Sequence, residues 1–286
     1  MFIPYHRRHL ASVFRGLLLS RPQIAHFDVP ERLVFLWIHE SERTYGDRLV
    51  CEADVSKFRA ILQASAKKAF PTIGTAQLFG EQAGTTPLCF CHVRDNVTLD
   101  EPAYGLVEDT NLLRKCFERA LAEHNEFHPT MDLVLFRDAL LHVARITRVV
   151  LQPAGHALLV GVGGSGKQSL ARLAAHICGH MLMRICITSS YSLGEFKIDL
   201  QNMFARAGIK QEGVVFLFTD SQVTNERFLV YLNDLLASGN IPELYSKDER
   251  DNISSLVEGV SPRFCVAILE RNLHYLTQRL FDRLEY

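Results

Sequence analysis

The stretch Ala157-Leu-Leu-Val160 followed by Gly161-Val-Gly-Gly-Ser-Gly-Lys-Gln-Ser169 decides how the rest of the chain is read. The four apolar residues predict a short buried strand, and the glycines predict a turn. Ser169 to Cys178 follows with Leu170, Leu173, Ala174 and Ile177 at helical spacing, and Gly179 stands where a helix C-terminus wants a glycine. Strand, loop and helix in that order frame the pattern G-x-x-x-x-G-K, from Gly161 through Val162, Gly163, Gly164, Ser165 and Gly166 to Lys167. Glycines let consecutive N–H groups turn inward around a phosphate, and the helix adds the positive end of its dipole. Lys167 is placed to reach the β- and γ-phosphates. Chance supplies about 0.03 such matches in a chain with this glycine and lysine content, so a nucleotide site outweighs an ordinary glycine turn.

Outward from the loop, Met181–Thr188 and Val214–Thr219 read as further strands, and Leu193–Ala207 and Asn225–Ala237 as helices, the last stopped at Ser238-Gly239. Apolar strands alternating with amphipathic helices predict an α/β fold, a parallel sheet covered by helices. The third strand ends in Asp220, where a carboxylate can hold Mg²⁺. The pattern departs once: Gln168 stands where a Ser or Thr would ligate Mg²⁺, and Ser169 points about 100° further round the helix. The Gln168 amide oxygen is the candidate replacement.

Before this region the chain reads as helical. Residues 1–68 predict a small helical subdomain, with apolar faces at Val13, Leu17 and Leu18, at Leu33, Val34, Leu36, Trp37 and Ile38, and at Val55, Phe58, Ile61 and Leu62. Pro22 and Pro30 mark a break between the first two, and Asp54 is the expected N-cap of the third. Residues 69–110, punctuated by Pro71, Gly74, Gly80, Gly84 and Pro87, read as an irregular linker. Leu112–His124 and Phe136–Val149 read as helices at the start of an α/β domain covering 111–255, and 256–286 as a divergent tail. His6-Arg-Arg-His9 before Leu10–Leu19 resembles a secretory leader, but Arg15 interrupts the run and an amphipathic helix is the better reading.

The 286 residues carry 31 basic and 32 acidic side chains and are 48% hydrophobic, enough for a buried core and without general attraction to nucleic acid or an acidic membrane. Seven cysteines form no disulfide framework, and Cys178 and Cys186 read as reduced core residues of an intracellular protein. Cys89, Cys91 and His92 lack a matching second pair for zinc, and His176 with His180 read as a helix-end pair. Asp248-Glu-Arg-Asp251 reads as a solvated loop.

Gly161-Val-Gly-Gly-Ser-Gly-Lys-Gln-Ser-Leu170 resembles the fourth AAA+ module of axonemal dynein heavy chains. Met131–Phe136, His142–Ile146, Phe216–Gln222 and Asn233–Gly239 carry the same likeness, and Gln168 and Ser221 look like features of that module. Arg8–Phe14, Leu36–Glu40 and Gly46–Leu49 resemble the lid of the preceding module, in which Arg8 would be a nucleotide-sensing arginine. The resemblance implies a P-loop AAA+ core binding ATP or ADP with Mg²⁺, and places Leu133 and Val134 at the adenine. Its implied partners are neighbouring AAA+ modules and other dynein subunits, in cytoplasm, cytoskeleton and ciliary axoneme, with microtubules met only indirectly. Hydrolytic AAA+ sites carry Glu after the strand-end Asp; here Ser221 lacks a base at neutral pH. The resemblance therefore implies a regulatory site with weak or absent hydrolysis.

The likeness fades over 260–286, where Glu270–Tyr286 reads as a short amphipathic helix, and this suggests a fragment or truncated product. An independent P-loop kinase, or a scaffold with a vestigial loop and helices 1–68 as its partner surface, are the alternatives.

Overall fold

The computed structural model describes residues 7–20, 30–73, 89–92, 104–107, 109–152, 156–210, 212–238 and 241–257. They divide into two compact units, one from the described residues of Met1–Arg119 with Leu135–Arg145, the other from those of Ala120–Val134 with Ile146–Tyr286.

The first unit opens with α1 (Arg7–Leu18), α2 (Pro30–Tyr45) and α3 (Glu52–Ala69). Pro30 begins α2, a position where the missing N–H costs nothing and the fixed φ suits the helix. Asp54 is not the N-cap of α3: Cys51 takes that place, and Asp54 lies inside the first turn with its N–H bonded to the Cys51 carbonyl at 3.0 Å. Glu52 already has helical backbone, so the Asp54 carboxylate acts on the positive end of the dipole instead. Val34 and Ile38 of α2 meet Leu62 of α3, with Trp37, Phe58 and Phe70 packed around them.

Another side of α2 presents Leu36 to Phe90 and Tyr104. Those two residues bring in a short antiparallel pair, β1 (Phe90–Cys91) and β2 (Gly105–Leu106), with Phe90 opposite Leu106. The pair falls within 69–110, read from sequence as irregular; two-residue strands carry no periodicity for a pattern to reveal.

The second unit takes in the end of α4 (Thr110–Phe127) and of α5 (Arg137–Leu151), then α6 (Lys167–Ile177), β3 (Met181–Met183), α7 (Leu193–Gly208), β4 (Val214–Phe216), α8 (Glu226–Ser238) and α9 (Lys247–Val257). β3 and β4 pair in parallel, Met181 with Val214 and Met183 with Phe216. Flanking bonds extend the ladder, from Met181 N–H to the Gly213 carbonyl (2.7 Å) and from Leu217 N–H to the Met183 carbonyl (2.9 Å). α6 adjoins β3, and α7 packs on β4 and α8. Phe196 of α7 stacks on Phe228 of α8 at 4.3 Å between ring centres, within a core that also holds Leu200, Met203, Val214, Phe216 and Leu232. The α/β arrangement expected from the sequence is present, with shorter strands.

Three further expectations change. Ala157–Val160 has no strand ladder among the described residues, and Val160 is 86% exposed. An apolar run of four does not encode whether a neighbour pairs with it. Asp248–Asp251 is not a loop but the start of α9, with Ser246 and Glu249 exchanging hydrogen bonds across its first turn. The serine holds the Glu249 carboxyl below its ordinary range. Cys186 is exposed rather than in the core. Pro22, Gly239 and the helix read at Glu270–Tyr286 lie outside the described residues.

The first unit is locked by a buried carboxylate. Glu40 is fully buried on α2 and accepts a hydrogen bond from the Tyr104 hydroxyl at 2.5 Å. Gly16 of α1 lies against that carboxylate so closely that a Cβ would overlap it. Such overpacking costs about 1–3 kcal/mol, against ~1 gained from alanine's helix propensity. Gly16→Ala is expected to lower the urea midpoint of unfolding; an unchanged or raised midpoint would show that Glu40 swings aside freely.

Candidate functional site

The glycine loop is built by two left-handed residues, Gly164 (φ 75°) and Gly166 (φ 78°). A side chain at either would strain the backbone, which is why the pattern needs glycine there. Gly166 is also the N-cap of α6, whose ladder begins with Leu170 N–H donating to the Gly166 carbonyl at 2.9 Å. The amides of Lys167, Gln168 and Ser169 thus precede the helical ladder, at the positive end of the dipole. No side chain caps this end.

Lys167 closes the loop on itself. Its ammonium donates to the carbonyl oxygens of Gly161 (2.8 Å) and Val162 (2.6 Å) and to Ser165 Oγ (3.1 Å). The charge is therefore held over the loop by neutral acceptors, which an anionic phosphate oxygen can outcompete. The helix behind is fixed at its far end: His180 N–H bonds the Ala175 carbonyl and Gly179 N–H the His176 carbonyl, both at 2.9 Å, with Gly179 at φ 64°. Leu170, Leu173, Ala174 and Ile177 bury its inner face, as the spacing predicts.

Leu133 lies beside the loop, its Cδ1 3.9 Å from where a Gly166 Cβ would be. Val134, named with it from the sequence, is 76% exposed. Sequence reasoning missed the residue that holds this segment. Asn125, near the end of α4, accepts from Met131 N–H at 2.9 Å and donates to the Met131 carbonyl at 3.1 Å.

Asp220 begins a 3-10 turn after β4 and is exposed, as are Ser221 and, in the first turn of α6, Gln168. A second missed residue fixes that turn. Buried Gln222 accepts from Thr219 N–H at 2.8 Å and donates to the Ile185 carbonyl at 2.7 Å, tying the exit of β4 to the exit of β3. Thr219-x-x-Gln222 has capping-box spacing, so half of this role was visible in the sequence. Ser221 Oγ lies 3.1 Å from Thr219 Oγ1, and its hydroxyl supplies no base at neutral pH.

Cys89 and Cys91 are buried, and burial with the neighbouring Cys91 pushes the Cys89 thiol up to about 12. Among the described residues no group of three His, Cys, Asp or Glu is arranged to hold a metal ion. No described helix is long and apolar enough to cross a membrane.

Comparison with known proteins bears on this geometry directly. Residues 131–276 match the family described as P-loop containing dynein motor region D4, and residues 2–80 match the AAA+ lid domain. The chain is 52% identical over 246 residues to the dynein alpha chain of the flagellar outer arm from Chlamydomonas reinhardtii, covering 86% of this chain and 5% of that one. It is 44% identical over 251 residues to human dynein axonemal heavy chain 17, covering 88% and 5% respectively. Against the ciliary dynein beta chain of Tripneustes gratilla it is 42% identical over 249 residues, covering 87% and 5%. The chain thus spans about one twentieth of the length of these relatives. A matched family region that contains the loop, Leu133 and the Asp220 turn places the chain in the P-loop AAA+ family of dynein heavy-chain motor regions, in region D4.

Proposed function

We propose that Gly161–Ser169 binds the phosphates of ATP or ADP and that the site regulates a dynein-type axonemal motor rather than driving it. The observation that carries the binding is the loop itself: two left-handed glycines, an uncapped helix start and an ammonium held over the loop by neutral oxygens. On phosphate arrival Lys167 exchanges two carbonyl acceptors for anionic ones, and the amides at the start of α6 complete the cradle. Leu133 and Val134 supply apolar contact to the adenine, Leu133 already being beside Gly166.

Asp220 and Gln168 are the residues that would hold Mg²⁺, both offering exposed oxygen donors of the kind this ion prefers. When bound, the ion would neutralise charge on the β- and γ-phosphates. Gln222 orients the Asp220 turn through its bond to Ile185. Ser221 offers no carboxylate to accept a proton from an attacking water, so the nucleotide persists rather than turning over. Occupancy then acts through the packing of neighbouring modules, in a heavy chain that meets microtubules elsewhere and works in the ciliary axoneme.

Lys167→Ala removes the charged donor and is expected to weaken a fluorescent ATP analogue by about 10- to 100-fold, the range for a hydrogen bond to a charged group. Equal affinity in the variant would sink the loop as the site, and so would a folded wild-type chain that binds no nucleotide. Phosphate release from the wild-type chain with ATP and Mg²⁺ should stay below one turnover per minute; several turnovers per second would contradict the regulatory reading.

A further inference from the structure

Three imidazoles meet where the end of α4 packs on the end of α6. His124 and His128, one turn apart, have ring centres 4.8 Å from each other, and His176 of α6 lies edge-on to them at 5.3 and 6.3 Å. His124 is buried, His176 half-buried and His128 exposed. Nothing in the phosphate-loop chemistry uses them, yet they join its two sides. His176 stands at one end of the helix whose other end is Lys167. His124 is followed by Asn125, which grips Met131 and with it the segment carrying Leu133.

We propose that His124 and His176, with His128 packed beside both, form a proton-sensing junction: acidification charges the two packed rings, pushes the end of α4 away from α6, and so weakens nucleotide binding. The nucleotide part rests on the function proposed above; the loosening of the junction does not.

The surrounding charges favour this response. The charge of Arg172 in α6 acts on His124, that of Arg184 acts on Arg172, and Glu123 of α4 is the anion acting on His176. One carboxylate, Glu123, thus stands against the Arg172 guanidinium and the neighbouring imidazoles. His124 and His176 also lie in the last turns of their helices, where the dipole favours a cation. That pull loses. Burial first, then for His124 the charges of His128 and Arg172, and for His176 those of His124 and His128, hold both imidazoles below their ordinary range. The Asn125 side chain and Glu123 only partly oppose this.

The sign follows from linkage. His124 and His176 bind their protons more weakly in the folded chain than in the unfolded one. The packed junction is therefore at full strength above the ordinary histidine value of about 6.5, and it weakens as pH falls through that value toward the lowered one.

The test compares the wild-type chain with His176→Gln and with His124→Gln/His176→Gln, which keep polar side chains that take no proton. Two readouts run from pH 7.5 to 5.5: the thermal midpoint without nucleotide, and the dissociation constant of a fluorescent ADP analogue. The nucleotide's own titration is common to all chains and cancels. The wild-type midpoint should fall more steeply than that of either variant, and its dissociation constant should rise about 3- to 10-fold more, as partial coupling to one proton gives up to tenfold per pH unit. Parallel thermal profiles in wild type and variants would overturn the junction. A steeper wild-type thermal profile with parallel binding profiles would overturn its link to nucleotide. Absence of binding at every pH would overturn the nucleotide reading and that link together, while the thermal readout still decides the junction. If the double variant fails to fold, His176→Gln alone decides, since its ring is half-buried.

Discussion

The proposed nucleotide site depends on one backbone constraint, the pair of left-handed residues Gly164 and Gly166 that turns the chain into the start of α6. Without them the amides of Lys167 to Ser169 would not stand at an open helix start, and Lys167 would not reach back to the carbonyls of Gly161 and Val162. The helix that carries these groups is held by its buried apolar face and by the two hydrogen bonds from the Gly179 and His180 N–H groups that close its end. The same helix joins His176 to the loop, so a disturbance at His176 would reach the proposed cradle along it.

Around that cradle, long-range side-chain to backbone bonds set the remaining pieces. Asn125 fixes the segment leading to Leu133, and Gln222 clamps the turn bearing Asp220 to the end of β3. Both are neutral amides that donate and accept at once, which lets each satisfy two backbone groups that would otherwise be left unpaired. In the other unit the buried Glu40 has an analogous part, joining α2 to Tyr104 while Gly16 makes room for it.

How much of this was legible depends on the range of the signal. The loop and α6 were readable because glycine spacing and helical periodicity are local, and the helices from α4 to α8 fall where their apolar spacing places them. Strand pairing was less legible: Ala157–Val160 has the composition of a strand without a ladder, and β1 and β2 are too short to show a pattern. Asp54 was misplaced by three residues because an acid inside a first turn and an acid at a cap look alike in sequence. Asn125 and Gln222 act on backbone groups 6 and 37 residues away, contacts that no periodicity encodes. The histidine junction needed the packing of α4 on α6, since His124 and His176 are 52 positions apart in the sequence.

On the proposed reading, nucleotide phosphates sit on the backbone of the glycine loop. Residue-resolved amide hydrogen exchange of the chain, with and without saturating ADP and Mg²⁺, measures this directly. Slowed exchange is expected to concentrate at the amides of Gly163 to Ser169. Nucleotide bound with those amides unprotected, or with protection centred elsewhere in the chain, would contradict it.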